Sequence, residues 1–485
     1  SSDKPPPLAA ADSAARRLPM LPNRKDIRSL TSLAIPVVTV QVGMMSMGVV
    51  DTVMVGRFAA LDLAAVALGN LYFWLASAFG MGTLMALDPV VAQAVGAGDD
   101  LAVSRGVQRG FVLAAMLTLA GAAILLPAEM VLSALRQPAE VVPVAARYVW
   151  VAIPGLFPFF AFVVLRQTLQ AMGRMRPILA AIVLANLVNV GLNWMFVWGN
   201  AGFPAMGAVG SSLASTLSRW IMAVGLLLAA WPLLGRHLTT FRPNALAARP
   251  LARMLKLGLP IGVQFELEFG MFAVTALLMG LLGTVAMAGH QVAINLASLT
   301  FMVPLGIGQA TAVLVGHAIG KGDAPGGRRA AGAGIMAGGA FMFLMAVVLV
   351  SLPELLASAY SKDVAVLAIA AGLIPLAGLF QVFDGLQVVC SGVLRGIGDT
   401  KSPMLINLIG FWGVGLPVGL FLGFRSDLGP TGLWWGLVVG LAVVAILLLV
   451  RVHLRMSRDM ERVIIDHEGE IGSAGRPEPS GPQGG

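Results

Sequence analysis

Apolar stretches long enough to cross a bilayer recur along nearly the whole chain, separated by short polar gaps. The pattern predicts twelve helical spans, with cores near 30–55, 63–92, 107–130, 141–170, 177–198, 207–232, 252–282, 286–318, 330–352, 364–393, 403–424 and 431–450. Several exceed the ~20 residues that a crossing requires, so tilt or extension beyond the hydrocarbon is expected. The ends read differently. Residues 1–28 are polar, Pro/Ala-rich and basic, without the apolar core of a signal peptide, and residues 456–485 close on GSAGRPEPSGPQGG. Both are expected to be disordered.

Composition agrees with a bilayer. The chain is 58% hydrophobic and only 12% charged, whereas a soluble domain carries about 25% charged residues. The net charge of +8 raises nucleic acid as a partner, but the basic residues sit in the gaps between spans and act as topology signals instead. Of the 32 Lys and Arg residues, 25 fall on the side shared by both termini and 5 on the other, with Arg166 and Arg219 inside spans. The positive-inside rule therefore places both termini in the cytoplasm. The single cysteine, Cys390, rules out an intrachain disulfide, and the five histidines are too dispersed for a metal site.

The spans repeat. LAIP (33–36) and LGLP (257–260) open equivalent segments 224 positions apart, and VAQAVGAGD (91–99) matches VGHAIGKGD (315–323) at the same offset. GRMRP (173–177) answers GDTKSP (398–403) with one residue of slippage. An even number of spans per copy makes the copies parallel, related by an axis along the membrane normal. The predicted organisation is an N-lobe over 29–234, a polar linker over 235–250 and a C-lobe over 251–455. GHAIGKG (316–322) resembles a P-loop only faintly and reads as a turn after a span. With no nucleotide domain, an ion gradient is the expected energy source.

Ionisable residues inside a span are functional candidates, because burial at mid-bilayer costs about 2.5–3.5 kcal/mol. Asp51 lies late in the first span, near Arg57, and reads either as interfacial or as a working carboxylate. Asn189 and Asn193, one turn apart in NLVNVGLN, share a face that could meet it, and Pro36 can kink the helix that carries it. Glu266 and Glu268 are about 200° apart around the seventh span, so only one can face a given cavity, and geometry does not choose. Asp384 sits among apolar residues in the tenth span, and Asp88 precedes Pro89 near the end of the second, where a solvated structural role is expected. Arg166 and Arg219 read as snorkelling cations or ion-pair partners.

Together the runs VVDTVMVGR (49–57), DLAAVALGN (62–70), ALDPVVAQAVGAG (86–98), GHQVAIN (289–295) and GVLRGIGDTKSP (392–403) resemble the multidrug and toxic compound extrusion (MATE) transporters, nearest their NorM branch. The resemblance covers about residues 26–455. It implies an all-α fold of twelve membrane helices in two lobes, and a multi-pass bacterial inner-membrane protein that is not an enzyme. The implied activity is export of cationic amphipathic drugs and dyes in exchange for H⁺ or Na⁺, by a monomer with no cofactor and no nucleic-acid partner. Carried over residue by residue, the family's working positions match Asp51, Asn189, Asn193, Glu268 and Asp384, with Pro36 as the kink proline; Glu268 is chosen over Glu266. Two positions depart: some relatives carry a carboxylate where Asn193 stands, and Asp88 stands where a small hydroxyl residue is expected. The alternative within the wider superfamily is a flippase for a lipid-linked saccharide, which would favour basic residues in the central cavity. Under the repeat offset Asp51 falls on Thr275 and Glu268 on Met44, so the scaffold is duplicated but its ionisable groups are not.

Overall fold

Within hydrocarbon no water can satisfy a peptide group, so the backbone must close its hydrogen bonds in helices or in a closed barrel. A computed structural model of the chain describes residues 21–466, apart from Phe241, Arg242, Ser361, Asp427 and Asp459, and contains no strand among them. Twelve helices are long and apolar enough to span. The first six are α1 (Arg24–Gly56), α2 (Ala60–Gly96), α3 (Asp100–Leu125), α4 (Val142–Ala171), α5 (Arg176–Phe196) and α6 (Gly207–Leu238). The second six are α7 (Ala248–Leu281), α8 (Thr284–Gly320), α9 (Ala324–Ser351), α10 (Val364–Ile397), α11 (Lys401–Phe424) and α12 (Pro430–Met456). Large apolar side chains cover the outside, among them Leu119, Leu187, Leu228, Leu277 and Leu281. Pro36 lies inside α1 and Pro260 at the equivalent place in α7, each leaving the carbonyl four residues earlier without its backbone donor. A π-helical stretch, Leu408–Gly415, interrupts α11 where its glycines meet Gly436 and Gly440 of α12.

The repeated GxGD run is a stop-and-start device. Gly98 and Gly322 adopt φ of +69° and +72°, which an L side chain resists, and so end α2 and α8. The aspartate that follows caps the next helix: Asp99 accepts from the Ala102 N–H (2.9 Å) and Asp323 from the Gly326 N–H (2.8 Å). The P-loop-like stretch is thus a helix end and a turn.

The two lobes meet along the inner parts of α1, α2, α7 and α8, and the contacts obey the pseudo-twofold axis. A Cβ on Gly96 would strike the backbone of His317, and one on Gly320 would strike that of Gln93; Gly320 is the counterpart of Gly96 and His317 that of Gln93, each 224 positions on. Gly82 against Gly262, and Gly306 against Val38, repeat the exchange. A twofold interface has this signature, in which i meets j and the copy of j meets the copy of i. Even the side-chain caps follow: Gln93 donates to the Gly396 carbonyl ending α10 (2.8 Å), and His317 bonds the Ala171 carbonyl ending α4 (2.6 Å). The Gly96–His317 and Gly320–Gln93 contacts and both caps lie on the face that carries the start of α1 and the end of α12, here called the basic face, while the Gly82 and Gly306 contacts continue the seam toward mid-helix.

Four expectations change. Residues 24–28, assigned to a disordered N-terminus, form the first turn of α1, which Asn23 caps; residues 1–20 of that assignment lie outside the described residues. Residues 460–466, assigned to a disordered tail, hold defined contacts. Arg109 clasps the Asp466 carboxylate with both Nη atoms (3.1 and 2.6 Å), Arg105 lies 3.2 Å from it, and Val463 N–H donates to Gln93 Oε1 (2.7 Å). Composition forbids a core for this segment but not an ion-paired strap. Asp88, expected to be solvated, is 1% exposed and ion-paired to Arg395 at 2.8 Å, because the end of α10 packs over it. Arg166 does not snorkel: it is 1% exposed and donates to Gln41 Oε1 of α1 (2.8 Å), within electrostatic reach of the Asp88–Arg395 pair.

Candidate functional site

Two cavities flank the lobe seam, away from the sealed basic face. The N-lobe cavity holds about 210 Å³ and is lined by Met44, Met45, Met47, Phe73, Trp74, Phe159 and Met222, with Asp51, Asn70, Asn186, Ser215 and Arg219 as its polar groups. Asp51 enters from α1. The carboxamides of Asn189 and Asn193, one turn apart on α5, both reach its Oδ1, at 3.1 and 2.7 Å. Ser215 of α6 donates to the other oxygen, Oδ2, and accepts from Asn189 Nδ2 (3.3 Å). Three neutral donors from two helices therefore converge on one carboxylate, each such charge-assisted bond being worth roughly 1.5–3 kcal/mol. The side-chain oxygens, Oδ1, of Asn189 and Asn193 are buried without a donor. Arg219 lies within electrostatic reach of Asp51 but stacks its guanidinium over the Phe73 ring at 4.2 Å.

The C-lobe cavity is larger, about 370 Å³, and strongly aromatic: Trp74, Phe265, Phe269, Phe272, Phe301 and Phe380 surround Glu268 of α7 and Asp384 of α10. The two acids face the same space and act on one another electrostatically. No cation is paired with either among the described residues; Glu268 has a neutral partner, Gln387 Nε2 (3.2 Å), and Asp384 Oδ1 is buried without a donor. An acid pair in an aromatic box attracts a lipophilic cation by charge and by ring faces together. Trp74 lines both cavities and meets Phe159 edge-on, ring centroids 5.9 Å apart, so the two acidic sites share one indole in their walls.

The residues singled out in the sequence thus divide into groups. Asp51, Asn189 and Asn193 come together in one lobe, and Glu268 and Asp384 in the other. Glu266 points away from both cavities, toward the α2 backbone at Phe79. Asp88 lies in the basic-face seal with Arg395, and Pro36 lies fifteen residues before Asp51 on the same helix. Sequence reasoning missed Ser215 and Gln387. Their only signal is position: Ser215 follows Ser211 by one turn in SSLAST, and Gln387 follows Asp384 by three residues.

Comparison with known proteins gives a consistent result. The MatE family model matches the chain twice, over residues 36–195 and 260–421. Multidrug resistance protein MdtK of Pectobacterium atrosepticum is 36% identical over 449 residues, 90% of this chain and 98% of that protein. A probable multidrug resistance protein NorM of Mesorhizobium japonicum is 39% identical over 458 residues, 92% and 97% of the two chains. Among solved structures, the eukaryotic MATE transporter AtDTX14 superposes with a TM-score of 0.82 at 22% identity, covering 89% of this chain and 97% of that one. The two stretches matched by the family model begin 224 positions apart, the offset of the internal repeat.

Proposed function

Because the chain belongs to the MatE family, whose members are membrane transporters and not enzymes, we propose that it exports cationic, lipophilic drugs and dyes across the bacterial inner membrane in exchange for H⁺ or Na⁺. The observation that carries this reading is the Glu268–Asp384 pair enclosed by aromatic rings, with no cation beside it among the described residues. Two buried like charges are unfavourable together, so the pair calls for a bound proton, metal cation or organic cation, and these occupants exclude one another. That exclusion is antiport. Admitting one H⁺ or Na⁺ as a monovalent substrate leaves cancels an electrical cost of about 2.3 kcal/mol per 100 mV.

Asp51 is proposed as a second ion site. A proton needs only its carboxyl group, and the three donors then rearrange around the neutral acid. Sodium needs several oxygens, which Asn189 and Asn193 supply if their amides flip and turn the unpartnered carbonyls toward Asp51. The basic face is proposed to be cytoplasmic by the distribution of Lys and Arg, with both chain ends there. The two lobes would rock about the seam, closing the basic face as the other side opens. The lipid-linked saccharide alternative is disfavoured because the cavities carry three acids against one cation, Arg219, which is turned onto Phe73.

Cells expressing the wild-type chain should clear ethidium, whereas Asp384→Asn, present in the membrane at equal amount, should retain it. Wild-type rates of clearance from both Asp384→Asn and Glu268→Gln cells would overturn the acid-pair reading.

A further inference from the structure

The seals of the basic face follow the pseudo-twofold axis, and a further element crosses them from the end of α12. Residues 460–466 leave α12 of the C-lobe and lie over the ends of α2 and α3 of the N-lobe. Their root is firm: Arg328 Nε donates to the Met456 carbonyl at 2.6 Å, and Arg253 of α7 donates to the Ile465 carbonyl at 2.6 Å. Their N-lobe contacts are charged. Asp466 receives Arg109 and Arg105, and Arg462 lies 3.0 Å from Asp99. Burial opposes the Asp99 charge, but the Ala102 N–H and the Arg462 guanidinium outweigh it and hold that carboxyl below the usual range. Val463 N–H takes the oxygen of Gln93, the same carboxamide whose nitrogen reaches across the seam to Gly396.

We propose that this strap is a releasable latch, which ties the lobes together on the basic face and so opposes opening there. Every N-lobe anchor lies on α2, α3 or the turn between them, while the strap and Arg253 belong to the C-lobe, so the face cannot open without breaking one set. The packing is suited to release. A cavity flanks the strap on each side, about 270 Å³ toward Arg105 and Arg109 and about 300 Å³ toward Lys256 and Lys401. Ile465 is its one fully buried apolar side chain among the described residues, at 7% exposure, with Val463 and Met460 only partly buried against the two cores, and a segment with so small a core of its own detaches more readily than a packed helix. Asp466, 13% exposed between two arginines, is the group whose loss should matter most.

The inference rests on the two-lobe rocking proposed above, and its test reads conformation without transport. Spin labels at Arg174→Cys and Lys401→Cys, both exposed on the basic face of opposite lobes, in a Cys390→Ser background, report inter-lobe distance in nanodiscs. Asp466→Asn should raise the ratio of open to closed distances by about tenfold or more, the consequence of losing a charge-assisted bond. A chain ending at Ser457 should do the same, and Asp466→Glu should stay near the parent. Unchanged distances in both Asp466→Asn and the shortened chain would overturn the latch. A chain that exports no dye yet opens on loss of Asp466 would sink the transport reading and leave the latch standing.

Discussion

The Asp88–Arg395 pair gives the sharpest test of how the lobes are held together. Asp88 is 1% exposed at the end of α2, Arg395 lies 2.8 Å away on α10, and the fully buried Arg166 adds a second positive charge within reach. Asp88→Ala would leave two cations facing each other without an anion. Removing one partner of a buried pair costs about 3–5 kcal/mol, mostly because the remaining charge is stranded. The repeat supplies its own control. Ala312 and Gln170 occupy the equivalent positions in the other copies, so the same scaffold already tolerates a neutral combination there. Asp88→Ala together with Arg395→Gln should therefore recover about 2 kcal/mol or more of the single-variant loss, a coupling at the upper end for residues in contact. Recovery stays incomplete because Arg166 still lacks its anion. The assay is a detergent titration of unfolding, followed by tryptophan fluorescence, on the parent, both single variants and the double. Additive losses, or an Asp88→Ala change below about 0.5 kcal/mol, would refute the reasoning.

Other expectations concern the seam and the two acidic sites. Gly258→Val puts a side chain against the Thr83 carbonyl, where only backbone can yield, and should cost about 1–3 kcal/mol in the same titration; wild-type stability would show that the seam is looser than described. Ser215→Ala removes one of three donors to Asp51 and should slow ethidium clearance several-fold without abolishing it, whereas Asp51→Asn should abolish it. Glu268→Gln and Asp384→Asn should each impair clearance almost as much as the double variant, because the pair works as a unit; effects that multiply independently would separate the two acids.

Much of the architecture was legible because the bilayer writes it into the sequence. Each span has to be apolar along its length, and the repeated GxGD run preserves a left-handed glycine and a capping aspartate that two equivalent turns both require. The cluster of Asp51 with Asn189 and Asn193 was legible because i, i+4 spacing on one helix forces a shared face. Helix geometry alone does not choose between Glu266 and Glu268, since two residues on opposite faces of α7 give no sign of which side the cavity occupies; only the family resemblance picks Glu268. Ser215 reads as one more small residue in a helix rich in them. Asp88 reads as solvated because it sits near a helix end; packing that the sequence does not show, including Arg395 of α10 more than half the chain away, buries it. The strap was misread for a related reason. A polar segment without a core is easily equated with disorder, although five side chains from two lobes pin it through charge and hydrogen bonding.

Counter-transport by the purified protein addresses the central claim, that buried carboxylates exchange an ion for an organic cation. Proteoliposomes would be loaded with ethidium and given an inward H⁺ gradient or an inward Na⁺ gradient, one at a time. The account predicts that one of the two gradients accelerates ethidium release, and that Asp51→Asn and Asp384→Asn each eliminate the acceleration. Release that ignores both gradients, or that both carboxyl variants perform at the parent rate, would contradict it.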